Sequence, residues 1–370
     1  MIRLQGARVP LVLAVVLAFI AAACGGTATA PAATARPSVA ATAASAATPA
    51  PTAAPTQAPP DKVTVLTDFL LFGWHSPLFA GKAEKFYSDQ RIDLTIQAGA
   101  GSADGATKVA AGAAQFGQLD ATSALVAIGK GADLKIVGVY FKKYPGGMCY
   151  IQERKPLKTW KDFEGLKVGA ANGDAYMVAL PALMKAGGAD PAKVQTVTMD
   201  GAATSAALVA GQVEGTPCGL PTFSSRAAAA AKEKLTANFF SFGDNGSDAL
   251  GFVLVTSGKT AQQQPDLVQR FVNAWAKSAV WSLANGDKAV GHFLAANADK
   301  NKDIETQSFK DVIPLLKGGA TQYFVLDAPQ VTKTVDFVND AYKVTLKPAD
   351  VYTNQFVDKL SDAFKAGKLQ

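Results

Sequence analysis

The stretch TDFLLFGWHSPLF, residues 67–79, decides how this chain is read. A short apolar strand, clearest from Val63 to Leu66, runs into a loop that gathers Phe69, Phe72, Trp74 and Phe79 around His75, one of only two histidines in 370 residues. Aromatic side chains at a strand end are ordinary core material, and for Phe72 and Phe79 that reading is preferred. Trp74 adjoins a glycine and a loop histidine, which suits a ligand platform. For His75 two readings stand side by side: contact with a ligand, or a plain cap for the helix expected over His75 to Phe86.

Working outward, the same strand, loop and helix pattern repeats. RIDLTIQAG (91–99) is a strand with Ile92, Leu94 and Ile96 on one side. Ser102 then stands where it can cap a helix in which Ala106, Val109, Ala110 and Ala113 recur at helical spacing, with Gly112 and Gly117 punctuating its exit. Another helix starts after Asp120, and LKIVGVYF is the next strand. From residue 148 a second series opens: MCYIQ, a turn through TWKDFEGLKVGAANGD, a helix over 175–187, VQTVTM, a helix over 202–211, and VEGTPCG. The chain returns with FVLVT and a long amphipathic helix carrying Phe271, Trp275 and Ala279 on one face; Trp275 and Trp281 are read as core. The remainder is mainly helical.

Alternation of this kind predicts an α/β protein of two lobes, each a mostly parallel sheet flanked by helices, with a ligand cleft between them. Residues 62–145 and 250–370 are expected to form lobe 1 and residues 146–249 lobe 2, hinged near 141–147 and 246–252. In open α/β sheets the loops at the carboxyl ends of strands line the crevice, and the following helix starts aim N–H groups into it. That rule selects Asp68 to His75 after the first strand, Gly101 and Ser102 after the second, Asp120 after the third, and Asn172, Asp174 and Asp200 in the second series. Asp120 and Asp200 also stand where a carboxylate often does nothing but cap a helix.

The N-terminus reads as export machinery. Residues 1–24 carry Arg3 and Arg8, an apolar run from Val9 to Ile20, and the ending AAAC. That ending resembles a lipobox, with Cys24 as the lipidated residue, although Ala21 stands where leucine is commoner. Residues 25–61 are an Ala/Pro/Thr-rich linker that cannot form a core, and they are expected to act as a semi-extended spacer. The predicted location is the outer face of the cell membrane, held there by lipid.

Composition excludes several functions. The net charge of +6 includes Arg3, Arg8 and Arg36 of the leader and spacer, so the body is nearly balanced and has no dense basic run for nucleic acid. Three cysteines leave Cys149 and Cys218 beyond Cys24; they are able to pair outside the cytoplasm or to remain as buried thiols. No cluster of Cys or His has metal-ligand spacing, so no metal and no cofactor is expected. An enzyme reading fares poorly. A Ser-His-Asp set could be drawn from Ser76 or Ser102 with His75 and Asp68, but nothing in the spacing recommends it. A lipid-anchored sensor or adhesin with the same two lobes is a third reading.

DFLLFGWHSPLFAGKAEKFY, followed by DLTIQAGAGSADGATKVAAGAAQFGQLDATSALVA, resembles the NMT1/THI5-like family of periplasmic-binding-protein-like solute receptors. The similarity continues through LKTWKDFEGLKVGAANGDA and PDLVQRFVNAWAKSAVW to DVYTNQF, and so covers nearly all of residues 62–356. The resemblance implies the type II two-lobed fold and an ABC importer. It also implies a membrane permease and a separate ATPase as partners, a small-molecule ligand, and a monomer that is not an enzyme. In the family's thiamine-pyrimidine branch an Asp-Trp pair precedes a histidine at the spacing of Asp68-Phe69 and His75. Here Phe69 replaces that tryptophan, Leu71, Phe72, Gly73 and Trp74 replace a Pro-Asn-Thr-Asn run, and the cysteine-rich motif of the fungal pyrimidine synthases is missing.

A more aromatic, less amide-rich loop suits a larger flat ring, and the family's riboflavin-binding receptors are the analogue that fits. Phe69, Trp74 and Tyr140 would stack on the ring, and Asp68, Asn172, Asp174 or Asp200 would take the ribityl hydroxyls. Thiamine pyrimidine precursors come next. Taurine or other sulfonates and nitrate rank lower, because the loops selected above supply acids and aromatics rather than cations.

Overall fold

The computed structural model describes residues 58–317 and 321–369. The leader with Cys24, and the spacer up to residue 57, lie outside the described residues. Among the described residues no helix is long and apolar enough to cross a membrane.

Strand β1 (Asp61–Thr67) buries Val63, Val65 and Leu66, and β2 (Ile92–Gln97) alternates buried Ile92 and Leu94 with exposed Asp93 and Thr95, the pattern of a sheet edge. Strands β3 (Phe116–Asp120) and β4 (Lys135–Val139) complete the first run. The second run comprises β5 (Gly146–Ile151), β6 (Lys167–Ala170), β7 (Gln195–Thr198), β8 (Gly215–Gly219) and β9 (Ala237–Ser241), after which β10 (Phe252–Thr256) returns to the first sheet. The two five-stranded sheets have the orders β2-β1-β3-β10-β4 and β7-β6-β8-β5-β9.

Both sheets are mixed. β10 is antiparallel to β3 and β4, and β5 is antiparallel to β8 and β9. The cause is topological. β4 ends at the cleft, so a chain crossing from it enters the other sheet at the cleft and must run away from it; β9 and β10 repeat the move in return. The two crossovers lie side by side. Gly251 N–H donates to the Phe141 carbonyl at 2.9 Å, and the N–H groups of Tyr140 and Phe141 donate to the Phe252 carbonyl at 2.7 and 3.0 Å.

Helices α1 (Ser76–Ala83), α2 (Ser102–Ala110) and α3 (Ala121–Gly129) cover the first sheet, while α4 (Ala175–Ala186), α5 (Thr204–Val209) and α6 (Leu220–Lys232) cover the second. The helix expected over His75 to Phe86 is shorter. It begins as a 3-10 turn at Gly73–His75 and stops at Ala83, because Lys85 takes a positive φ of 64° and Phe86 N–H turns back to the Gly81 carbonyl. The helix expected over 202–211 likewise narrows to α5, after a 3-10 turn at Gly201–Ala203.

After β10 come α7 (Gly258–Gln263), α8 (Pro265–Ala284), α9 (Gly286–Ala296), α10 (Lys302–Lys317) and α11 (Ala328–Tyr342). The core of the first lobe is built on α8: Phe271 stacks on Phe116 at 3.8 Å, and Trp275 is buried with its Nε1–H donating to Gln118 Oε1 at 3.1 Å. α10 reaches across the molecule. Its Glu305 carboxylate accepts from Gly73 N–H, and its Ser308 hydroxyl donates to the Pro221 carbonyl at the start of α6. Cys149 and Cys218 are joined in a disulfide between β5 and β8, with Cα atoms 5.7 Å apart.

Candidate functional site

The carboxyl ends of β1, β6 and β8 and the helix starts beside them enclose a cavity of about 250 Å³. The first sheet contributes Asp68, Phe69, Phe72 and Trp74 from the loop after β1, together with Gly101 and Ser102 at the start of α2. The second contributes Asp174 and Tyr176 at the start of α4, Gly201, Thr204 and Ser205 around the start of α5, and Thr222, Ser225 and Arg226 in the first turns of α6. One wall is therefore aromatic and the facing wall is hydroxyl-rich.

The walls touch. A Cβ added at Gly201 would lie 2.0 Å from the Phe69 ring, and one at Gly101, whose φ is +127°, would lie 2.8 Å from the Gly173 carbonyl. Only glycine allows each approach, so the two lobes stand closed over the cavity.

Of the residues singled out from sequence, Asp68, Phe69, Trp74, Gly101, Ser102 and Asp174 line this cavity. Trp74 does so as a core residue. It is 2 % exposed, its ring centroid lies 3.7 Å from that of His75, and Phe141 and Phe252 pack on it at 5.2 and 5.3 Å. Phe72, read as core, is half-buried on the cavity wall instead.

His75 is fully buried behind the wall and not on it. Phe72 N–H donates to its Nδ1 at 3.1 Å, which leaves Nε2–H to donate to Asp68 Oδ1 at 3.1 Å. The imidazole thus holds the Asp68 carboxylate in place; its side chain makes no cap bond to α1. Ser102 is not a cap either. Gly101 occupies that position, and the Ser102 hydroxyl accepts from Asp120 N–H at 3.0 Å.

Four further candidates stand away from the cavity lining. Tyr140 is buried in the core under Trp74, its hydroxyl 3.5 Å from the Trp74 carbonyl. Asp120 is buried at the cap of α3, where Oδ1 accepts from Ser123 N–H at 2.9 Å and Oδ2 has no partner. Asn172 is exposed at the seam between lobes, and Asp200 is exposed and caps the 3-10 turn before α5 through Ala202 N–H. Both polar side chains turn outward because the backbone beside them, at Gly173 and Gly201, makes the close approach.

Burial sets the electrostatics. The Asp120 carboxyl is pushed up to about 7, chiefly by loss of water, against the stabilising donation from Ser123 and with added repulsion from Asp68 and Asp174. Asp174 is pushed up to about 6 by the same loss of water. The N–H groups of Tyr176 and Met177 and the charge of Arg226 hold it back. Among the described residues there is no cluster of acids, Cys or His able to hold a metal.

The residues that sequence reading missed include Tyr176, Thr204, Ser205, Thr222, Ser225 and Arg226. The rule that selected the other loops reaches all of them, since Tyr176 opens α4 after β6, α6 follows β8 directly, and Thr204 and Ser205 follow β7 after one turn. The sign overlooked was an arginine two turns into a helix that starts at a strand's carboxyl end.

A family description, "NMT1/THI5 like", matches residues 73–289. The riboflavin-binding protein RibY of Chloroflexus aurantiacus is 26% identical over 313 residues, spanning 80% of this chain and 86% of that protein. Among solved structures, the alkanesulfonate-binding protein SsuA of Xanthomonas axonopodis pv. citri, bound to MOPS, superposes with a TM-score of 0.63 at 17% identity, covering 80% of this chain and 99% of that one. The nitrate-binding protein NrtA of Synechocystis PCC 6803 superposes with a TM-score of 0.57 at 13% identity, covering 80% and 87%. At these identities the superpositions establish the fold.

Proposed function

The chain belongs to the NMT1/THI5-like family and is a substrate-binding protein of ABC-importer type rather than an enzyme, and from that premise we propose that it captures a small planar heteroaromatic vitamin or precursor, with riboflavin first. The observation that carries this reading is the pairing of walls. Phe69, Phe72 and Tyr176 offer ring faces, while Thr204, Ser205, Thr222 and Ser225 offer hydroxyls and Asp68 and Asp174 offer acceptors. A flat ring with polar edges and a polyhydroxyl chain uses all three. The name of the 26% identical relative supports the choice of riboflavin.

The volume favours a second reading within the same class. A cavity of about 250 Å³ lies just under the roughly 300–1,000 Å³ usual for ligand sites, so a single-ring pyrimidine fills the closed form as it stands. Riboflavin requires the lobes to close on it less tightly.

Capture works through the hinge. Ligand contacts made to both lobes exist only in the closed form, so binding biases the paired crossovers toward closure, and the closed receptor is what the permease meets. Lipid on Cys24 and the spacer would tether the body outside the membrane, and a separate ATPase would drive transport. Thermal-shift screening against riboflavin, formylaminopyrimidine, hydroxymethylpyrimidine, taurine and nitrate tests the reading. Stabilisation by a flavin or pyrimidine is the expected result, and stabilisation by taurine or nitrate alone refutes it.

A further inference from the structure

Arg226 is a cation in the cavity wall with unspent donors. Its Nη1 donates to Thr222 Oγ1 at 3.1 Å, and its Nη2 donates to the Pro217 carbonyl at 3.2 Å and Thr204 Oγ1 at 3.4 Å. Those acceptors are all neutral. A guanidinium has five N–H groups, so two remain, including an Nε–H that is buried without a partner. Among the described residues no carboxylate comes within ion-pair distance of Arg226. Asp174, the acid that acts on it most, is occupied in capping α4 through Tyr176 N–H and Met177 N–H at 2.9 and 3.2 Å. Neither α2 nor α6 has a side-chain cap, so their first turns add donors from the two facing walls.

Shutting the Nε–H of a guanidinium from water with no carboxylate in ion-pair contact is costly unless a partner arrives. We propose that Arg226 is the residue that fixes ligand identity and orientation: its two unspent donors receive acceptor atoms on the ligand's edge, such as N1 and the C2 carbonyl of a flavin or N5 and the C4 carbonyl, while ligand hydroxyls or amines turn to Asp68 and Asp174. This rests on the heteroaromatic reading above and narrows it to rings that carry a carbonyl or anionic edge. Among acceptors, donors held at fixed angles on a planar guanidinium distinguish a ring edge with two acceptor atoms from a single point charge, which is why lysine would serve less well.

The test is a comparison of wild type, Arg226→Gln and Arg226→Lys, titrated with riboflavin and with 2-thio- and 4-thioriboflavin, in which the weak acceptor sulfur replaces one carbonyl oxygen. Thermal unfolding of each variant is followed in parallel. Wild type should lose affinity for at least one thio analogue. Arg226→Gln should bind riboflavin roughly ten- to hundredfold more weakly and no longer distinguish sulfur from oxygen, and Arg226→Lys should fall between.

An arginine that merely braced α5, β8 and α6 would lower stability and leave that discrimination intact. Riboflavin affinity within twofold of wild type in Arg226→Gln, or preserved sulfur discrimination, overturns the proposal. Should wild type ignore riboflavin but take ethanesulfonate, with affinity lost in Arg226→Gln, the heteroaromatic reading falls and the anchor stands. Ethanesulfonate binding that is indifferent to residue 226 overturns the anchor.

Discussion

The ring of Phe69 lies on Gly201: a Cβ at position 201 would sit 2.0 Å from Phe69 Cζ. The two residues leave different sheets, so the contact exists only while the lobes are together, and it joins the aromatic wall to the hydroxyl wall.

Gly201→Ala should therefore act on closure rather than on folding. Its methyl displaces the Phe69 ring, at a half-buried turn position whose three nearest atoms all belong to that ring. The expected result is ligand affinity lower by about tenfold, with a thermal midpoint within a few degrees of wild type. Calorimetric titration measures the first, and unchanged affinity would show that the contact does not belong to the ligand-bound state.

Trp74→Ala should unfold the protein readily instead of cleanly removing ligand contact. The indole is packed by His75, Phe141 and Phe252, and truncating a buried tryptophan costs about 3–5 kcal/mol. Urea denaturation reads this directly, and a loss below about 1 kcal/mol would return Trp74 to the category of ligand platform.

Asp120 and Asp174 give stability a pH dependence. Both carboxyls are raised above their solvated range, Asp120 to about 7 and Asp174 to about 6, mainly by burial. A raised acid binds more protons folded than unfolded between its two pKa values, so stability falls as pH rises through that window. The penalty is absent below about 4 and complete above about 7. Asp120→Asn keeps an oxygen for the Ser123 cap and removes the charge. It should raise the melting temperature at pH 8 and leave it unchanged near pH 4; a variant equally or less stable than wild type at pH 8 contradicts the sign.

The Cys149–Cys218 disulfide closes a sequence separation of 69 residues across β5 and β8. Cross-links of that span contribute about 2–4 kcal/mol. Cys149→Ala with Cys218→Ala should lower denaturation resistance by that amount. Because Cys218 lines the cavity, the same variant should also weaken ligand binding modestly. An unshifted urea midpoint would show that the pair adds no stability.

Much of this arrangement was readable in the chain. Alternating Ile92 and Leu94 and the helical stripe of Phe271 and Trp275 specify their elements by periodicity, the apolar run FVLV specifies a buried strand, and the rule of strand exits found Asp68, Phe69, Gly101, Ser102 and Asp174. Periodicity does not carry the direction in which a crossing strand enters a sheet, so the antiparallel β5 and β10 were not foreseen. Nor does it tell a loop aromatic that faces ligand from one that faces core. Trp74 and Phe72 exchanged their expected surroundings because the 3-10 turn at Gly73, fixed by Glu305 from 232 residues away, rotates the loop. Arg226 was missed for a related reason: whether an arginine in a helix meets solvent or a cavity depends on which lobe faces it.

The most direct test is titration of riboflavin into the purified protein, followed by quenching of flavin fluorescence, with Phe69→Ala measured alongside. Saturable one-to-one binding that weakens at least tenfold in Phe69→Ala is the predicted result. Absence of saturable binding by riboflavin and by both pyrimidines, or binding unaltered in Phe69→Ala, would contradict a planar ligand held between the two walls.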